Sequence, residues 1–122
     1  MTLLELQHRL LFYVKLLKLP LDEVDLFLRP YSKTYYGRYF PVTDSSLSVK
    51  PKIYIYPFEE NGTIMSFDKI FSTVVHEFCH HIQYVSGYKR MKGVMHDSQF
   101  WQLYNYYIEK YNVLGGEKCE AV

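Results

Sequence analysis

Residues 67–85 run FDKIFSTVVHEFCHHIQYV, and within them His76-Glu77-Phe78-Cys79-His80 forms an H-E-x-x-H pattern. Phe67, Phe71, Val74, Phe78, Ile82 and Val85 recur at helical spacing, which predicts an amphipathic helix that follows the Asn61-Gly62 turn and ends near Gly87. Two imidazoles four residues apart project from one face of such a helix, a spacing that suits a single tetrahedral ion. At about 100° per residue, His80 lies about 40° from His76, with Ser72 and Gln83 nearby and Phe71, Phe78, Ile82 and Val85 roughly opposite. Glu77 falls about 100° from His76, too far round to be a ligand but able to reach a water held beside the ion. That is a general base's position. His81, about 140° from His76, cannot share the ion and reads as a partly exposed helix residue. Cys79 reads as a small helix-packing side chain.

A catalytic zinc site usually has three protein ligands and an open position, so the two histidines need a third. His96 follows a loop containing Gly87 and Gly93 and directly precedes a helix beginning near Asp97, on which Phe100, Trp101, Tyr104, Tyr107, Ile108 and Tyr111 line one face until Gly115 and Gly116 end it. Glu109, on that later helix, is the other candidate, although it lies off the apolar stripe.

Upstream, Thr2 and Glu5 form a capping box, and Leu3, Leu6, Leu10, Tyr13, Val14 and Leu17 mark a helix stopped by Pro20. Asp22 to Leu28 reads as a short second helix ended by Pro30. Thr34 to Val42 and Leu47 to Tyr56 read as two antiparallel strands around Thr43, Asp44 and Ser45. Pro51 lacks a ladder donor and places part of the second strand at a sheet edge, or splits it.

The 122 residues, 48% of them hydrophobic, suit one compact domain spanning 1–122. A net charge of +1 with mixed signs gives no broad footprint for nucleic acid or an anionic membrane. Glu5, His8, Arg9, Lys15 and Lys18 interrupt the leucine-rich start, so it is not a transmembrane segment, and without a basic n-region and cleavage site the expected compartment is cytoplasmic. Cys79 and Cys119 do not make a disulfide framework and are expected to be reduced thiols. Thirteen tyrosines offer packing surface and hydroxyls, too many for one to be singled out to stabilise an oxyanion.

The fragments HEFCHH, from His76, and HDSQFW, from His96, resemble the SprT-like and WLM metallopeptidases, whose H-E-x-x-H is followed by a third histidine opening an H-x-x-x-F-[WY] segment. The resemblance identifies His96 as the third ligand and spans roughly residues 70 to 104. It implies an α+β minimal zincin, with a small twisted sheet on the active-site helix, flanking helices, and an edge strand within Leu47 to Tyr56 pairing with an extended protein or peptide substrate. Relatives that act on DNA-crosslinked proteins carry further DNA-binding elements, such as a cysteine-rich zinc ribbon, which two cysteines cannot build. Only weak DNA binding is therefore expected, with Lys89, Arg90 and Lys92 as the local basic cluster.

The implied activity is zinc-dependent peptide hydrolysis, with Glu77 accepting a proton from the attacking water. The alternative is a non-catalytic module that keeps zinc as a clamp and holds protein or single-stranded nucleic acid on its aromatic surface. Such a clamp has no use for a carboxylate beside the first histidine and would close its fourth position with another protein ligand.

Overall fold

A computed structural model of the chain describes residues 1–42, 49–88 and 93–114. The turn at Thr43, Asp44 and Ser45, the basic residues Lys89, Arg90 and Lys92, the Gly115-Gly116 stop and Cys119 lie outside the described residues. The architecture is α+β, with three helices and one mixed three-stranded sheet, and no described helix is long and apolar enough to cross a membrane.

Helix α1 (Leu3–Leu16) starts at Thr2, whose side-chain oxygen accepts the Glu5 N–H at 3.1 Å, and it buries Leu6, Leu10 and Val14. Its Tyr13 ring meets Phe67, Phe71 and Tyr111, tying the first helix to both later ones. Beyond it, the expected helix over Asp22 to Leu28 is not formed. A single 3-10 turn covers Leu21–Glu23, and Asp25–Leu28 is strand β1. Val24 is buried, while Leu26 and Leu28 pack against the core, so the apolar residues recur every second position, the period of a strand. Backbone pairing with a neighbouring strand outweighs the helix-start signal of Asp22.

Strand β2 (Gly37–Phe40) is antiparallel to β3 (Lys52–Ile55), as the sequence leads one to expect, but β1 lies parallel along the other side of β3. The strand order is β1-β3-β2. The segment expected to provide the edge therefore runs through the centre of the sheet, and β2 takes the edge. Pro51 does not obstruct this, because β3 begins at the next residue and the Pro51 carbonyl accepts the Asp25 N–H at 2.9 Å.

Helix α2 (Phe67–Val85) is capped by Ser66, which accepts the Lys69 N–H at 3.3 Å, and Gly87 leaves it at φ 72°, the left-handed conformation glycine adopts at no steric cost. Phe67, Ile70, Phe71, Val74, Val75, Phe78 and Cys79 enter the core. The expected apolar face stops short at its C-terminal end: Ile82 is half-buried and Val85 is 55% exposed. Helix α3 (Ser98–Val113) begins at Asp97, which accepts the Phe100 N–H at 2.9 Å, and buries Phe100, Tyr104, Ile108 and Tyr111 against α2. Phe71 stacks on Tyr111 with ring centroids 4.6 Å apart, and the Tyr111 hydroxyl donates to Asp68 at 2.6 Å.

Phe71 thus sits where all three helices meet. Phe71→Ala is expected to cost about 3–5 kcal/mol, the range for emptying a fully buried phenylalanine site, read as a lowered midpoint in urea unfolding.

Candidate metal centre and cleft

His76 and His80 project from α2, and His96 reaches the same point from the residue before the α3 cap. One ring nitrogen of each lies within 4.8 Å of the others, an arrangement that could hold a metal ion. His80 Nε2 and His96 Nε2 are 3.1 Å apart. Two nitrogens bound at about 2.0–2.1 Å to one tetrahedral zinc stand roughly 3.3 Å apart, so this pair already has the spacing of a shared ion. His76 Nδ1 is 2.8 Å from Glu77 Oε2. A carboxylate that accepts from Nδ1–H orients the ring and leaves the other nitrogen, Nε2, as the one able to bind a metal. Phe100 packs against all three rings, at centroid distances of 5.0, 4.7 and 4.8 Å, and Trp101 closes on His76 and His96. Three imidazoles on an apolar floor make a donor set of the kind that transition-metal ions, zinc among them, accept. Glu109 is exposed on α3 and is not part of this group.

The histidines open into a cleft of about 740 Å³, whose other wall is the β2 edge and the segment before it, with Tyr35, Gly37, Arg38 and Tyr39. Glu77 lines this cleft although it is only 5% exposed. Its cover is Gly37, where an added Cβ would stand 2.7 Å from Thr73 Cγ2 and 3.0 Å from Glu77 Cγ. Only a residue without a side chain lets the edge strand approach α2 this closely. An isolated glycine in a tyrosine-rich strand is the signal that marks such an approach in sequence.

His81 departs from the expectation of partial exposure. It is 1% exposed, with Nδ1 2.8 Å from the Tyr39 hydroxyl and Nε2 2.8 Å from Glu23 Oε1. Because the carboxylate accepts from Nε2–H in the neutral ring, Nδ1 accepts the tyrosine proton. The imidazole therefore joins the turn before β1, helix α2 and the edge strand. Burial, then the nearby Tyr84 and Glu23, pushes the Tyr39 hydroxyl well above the usual tyrosine range and keeps it a neutral donor. The Tyr84 hydroxyl holds the end of the same strand by donating to the Val42 carbonyl.

Cys79 is fully buried on the core side, and burial, followed by the Glu77 charge, pushes its thiol up to about 12. A thiol so raised is a poor nucleophile and a poor ligand at neutral pH.

Gly37→Ala is expected to force Thr73 and Glu77 aside and to lower stability by about 1–3 kcal/mol through overpacking, seen as a lower melting temperature. A variant as stable as the parent would show that the strand can retreat without cost. Compared with known proteins, the chain matches no family model, no curated protein and no solved structure at a significant level.

Proposed function

We propose that the chain is a zinc-dependent metallopeptidase of the SprT-like and WLM kind, acting on protein or peptide substrates. The observation that carries this reading is the convergence of His76, His80 and His96 at the mouth of a cleft that also contains Glu77. Zinc held there would acidify a water toward a pKa of about 7 and polarise a carbonyl. Glu77, under Gly37 and beside the ligand set, accepts the proton of the attacking water and returns it to the leaving amine. The alternative of a purely structural clamp is disfavoured by the ligand count: among the described residues, no fourth His, Cys, Asp or Glu joins the cluster.

The sheet supplies a place for an extended chain. Asp25 and Arg29 donate to the Pro51 and Ile55 carbonyls, so every second residue of β3 turns its backbone toward β1, and Tyr56 donates to Tyr36 on the other side. Continued along the register, Arg38 and Phe40 bond inward to Tyr54 and Lys52, while Gly37 and Tyr39 turn their N–H and C=O groups outward to the cleft edge. A peptide laid along that edge finds two residues' worth of donors and acceptors beside the histidines. DNA is proposed only as a weak ligand of this chain, through Lys89, Arg90 and Lys92, with an affinity that falls steeply with salt.

Purified protein reconstituted with zinc is expected to carry about one equivalent per chain by elemental analysis. His96→Ala is expected to lose most of it, whereas His81→Ala keeps it despite a lower stability. Equal zinc loss in both would refute the ligand assignment. Glu77→Gln is expected to retain zinc and the fold while hydrolysis of an unfolded protein substrate drops at least about 100-fold, the usual range for a lost general base. Undiminished turnover in that variant excludes Glu77 as the base.

A further inference from the structure

His96 is the one member of the cluster that does not sit on α2, so something must hold its segment against that helix. The buried amide of Gln83 is in the right place. Gln83 lies one turn beyond His80 on the same side of α2 and is 3% exposed. Its Nε2 donates to Asp97 Oδ1 at 3.2 Å and also to Gln99 Oε1, the residues one and three positions after His96. Asp97 in turn accepts the Phe100 N–H at 2.9 Å and caps α3.

From this geometry we infer that Gln83 is a positioning residue for the metal centre: its amide clamps the His96-Asp97-Gln99 segment onto the helix that carries the other two ligands. Burying a polar amide costs free energy unless its hydrogen bonds are made, and an apolar side chain would fill the same space without that cost. Core packing alone therefore does not account for glutamine here. A clamp does, because the donor joins α2 to the residues flanking His96, where the relative position of the two elements sets the ligand group. The Phe100 ring, three residues after the cap, then comes to rest against all three imidazoles. Without the clamp, α3 keeps its Asp97 cap and its core contacts, but the segment carrying His96 loses its tie to α2 beside His80.

This inference rests on the zinc reading above, and its test separates the two. Gln83→Met preserves side-chain length and apolar fill while removing the donor. Zinc affinity is measured by competition with a chromophoric chelator, and the ligand field by the visible absorption of the cobalt(II)-substituted protein. The parent is expected to bind tightly and to give the intense bands of a four-coordinate site. Gln83→Met is expected to bind zinc about 10- to 100-fold more weakly, the range for losing a partner that orients a metal ligand, and to give altered cobalt bands while its circular dichroism remains that of the parent. A merely structural glutamine would lower the melting temperature and leave the cobalt spectrum of the folded protein unchanged. That result, or unchanged zinc affinity, overturns the clamp and leaves the zinc reading standing. A parent that takes up neither metal overturns both. Gln83→Asn, which keeps a polar amide but shortens its reach by one carbon, carries the same test should the methionine variant not fold. It too is expected to bind zinc more weakly, and parental affinity in that variant overturns the proposal.

Discussion

The close approach of strand β2 to helix α2 at Gly37 is the constraint on which the rest of the site depends. The backbone there is so near that a single methyl group would overlap Thr73 and crowd Glu77. This contact makes a carboxylate beside the first histidine a covered group rather than a solvated one. It also sets the position of the sheet edge relative to the histidines, and therefore the width of the cleft. The Tyr39 to His81 to Glu23 chain reinforces it two residues further along the same face of the strand, and the Tyr84 hydroxyl holds the segment just beyond it at Val42. Backbone contact and side-chain network act on the same few residues.

Much of this was legible in the residues. The H-E-x-x-H helix, the capped N-terminal helix, the helix after His96 and the pairing of the two tyrosine-rich strands follow from periodicity and capping, which are local properties. The clustering of His96 with the other two histidines followed from a loop able to turn back and from a family pattern. What local pattern could not give was the order of strands. Asp25–Leu28 is only four residues long and follows Asp22, which reads as a helix start, so its pairing partner, rather than its own sequence, decides its conformation. Once that strand takes one side of β3, the other strand must be the edge, and the cleft wall changes from β3 to β2. His81 was misjudged for a similar reason. A histidine beside an exposed helix face looks solvated until the strand that covers it is in place.

The covering of α2 explains why this helix can carry so many polar groups. Taking His76 as the origin, Gln83 falls at about −20°, His80 at about 40°, Glu77 at about 100° and His81 at about 140°, so the polar groups share one continuous arc of the helix. Glu77, His81 and Gln83 are nevertheless buried. The arc is divided between two neighbours: the segment entering α3 covers Gln83 and the two histidines, and strand β2 covers Glu77 and His81. His81 and the Gln83 amide nitrogen meet hydrogen-bond partners on the elements that cover them, whereas Glu77 pairs with His76 on α2 itself, and these bonds offset the cost of burial.

Such an arrangement also divides the roles of the two walls. The α3 side contributes His96 and the clamp at Asp97 and Gln99, so it controls whether three nitrogens converge. The β2 side contributes no cluster nitrogen among the described residues; it supplies the cover over Glu77 and the outward backbone groups of a sheet edge, so it sets the opposite wall of the cleft. Among the described residues, both walls pack on α2, a 19-residue helix. A helix that is polar along one arc and apolar around the rest therefore lets a 122-residue chain set a three-histidine cluster, able to hold a metal ion, across a cleft from a sheet edge.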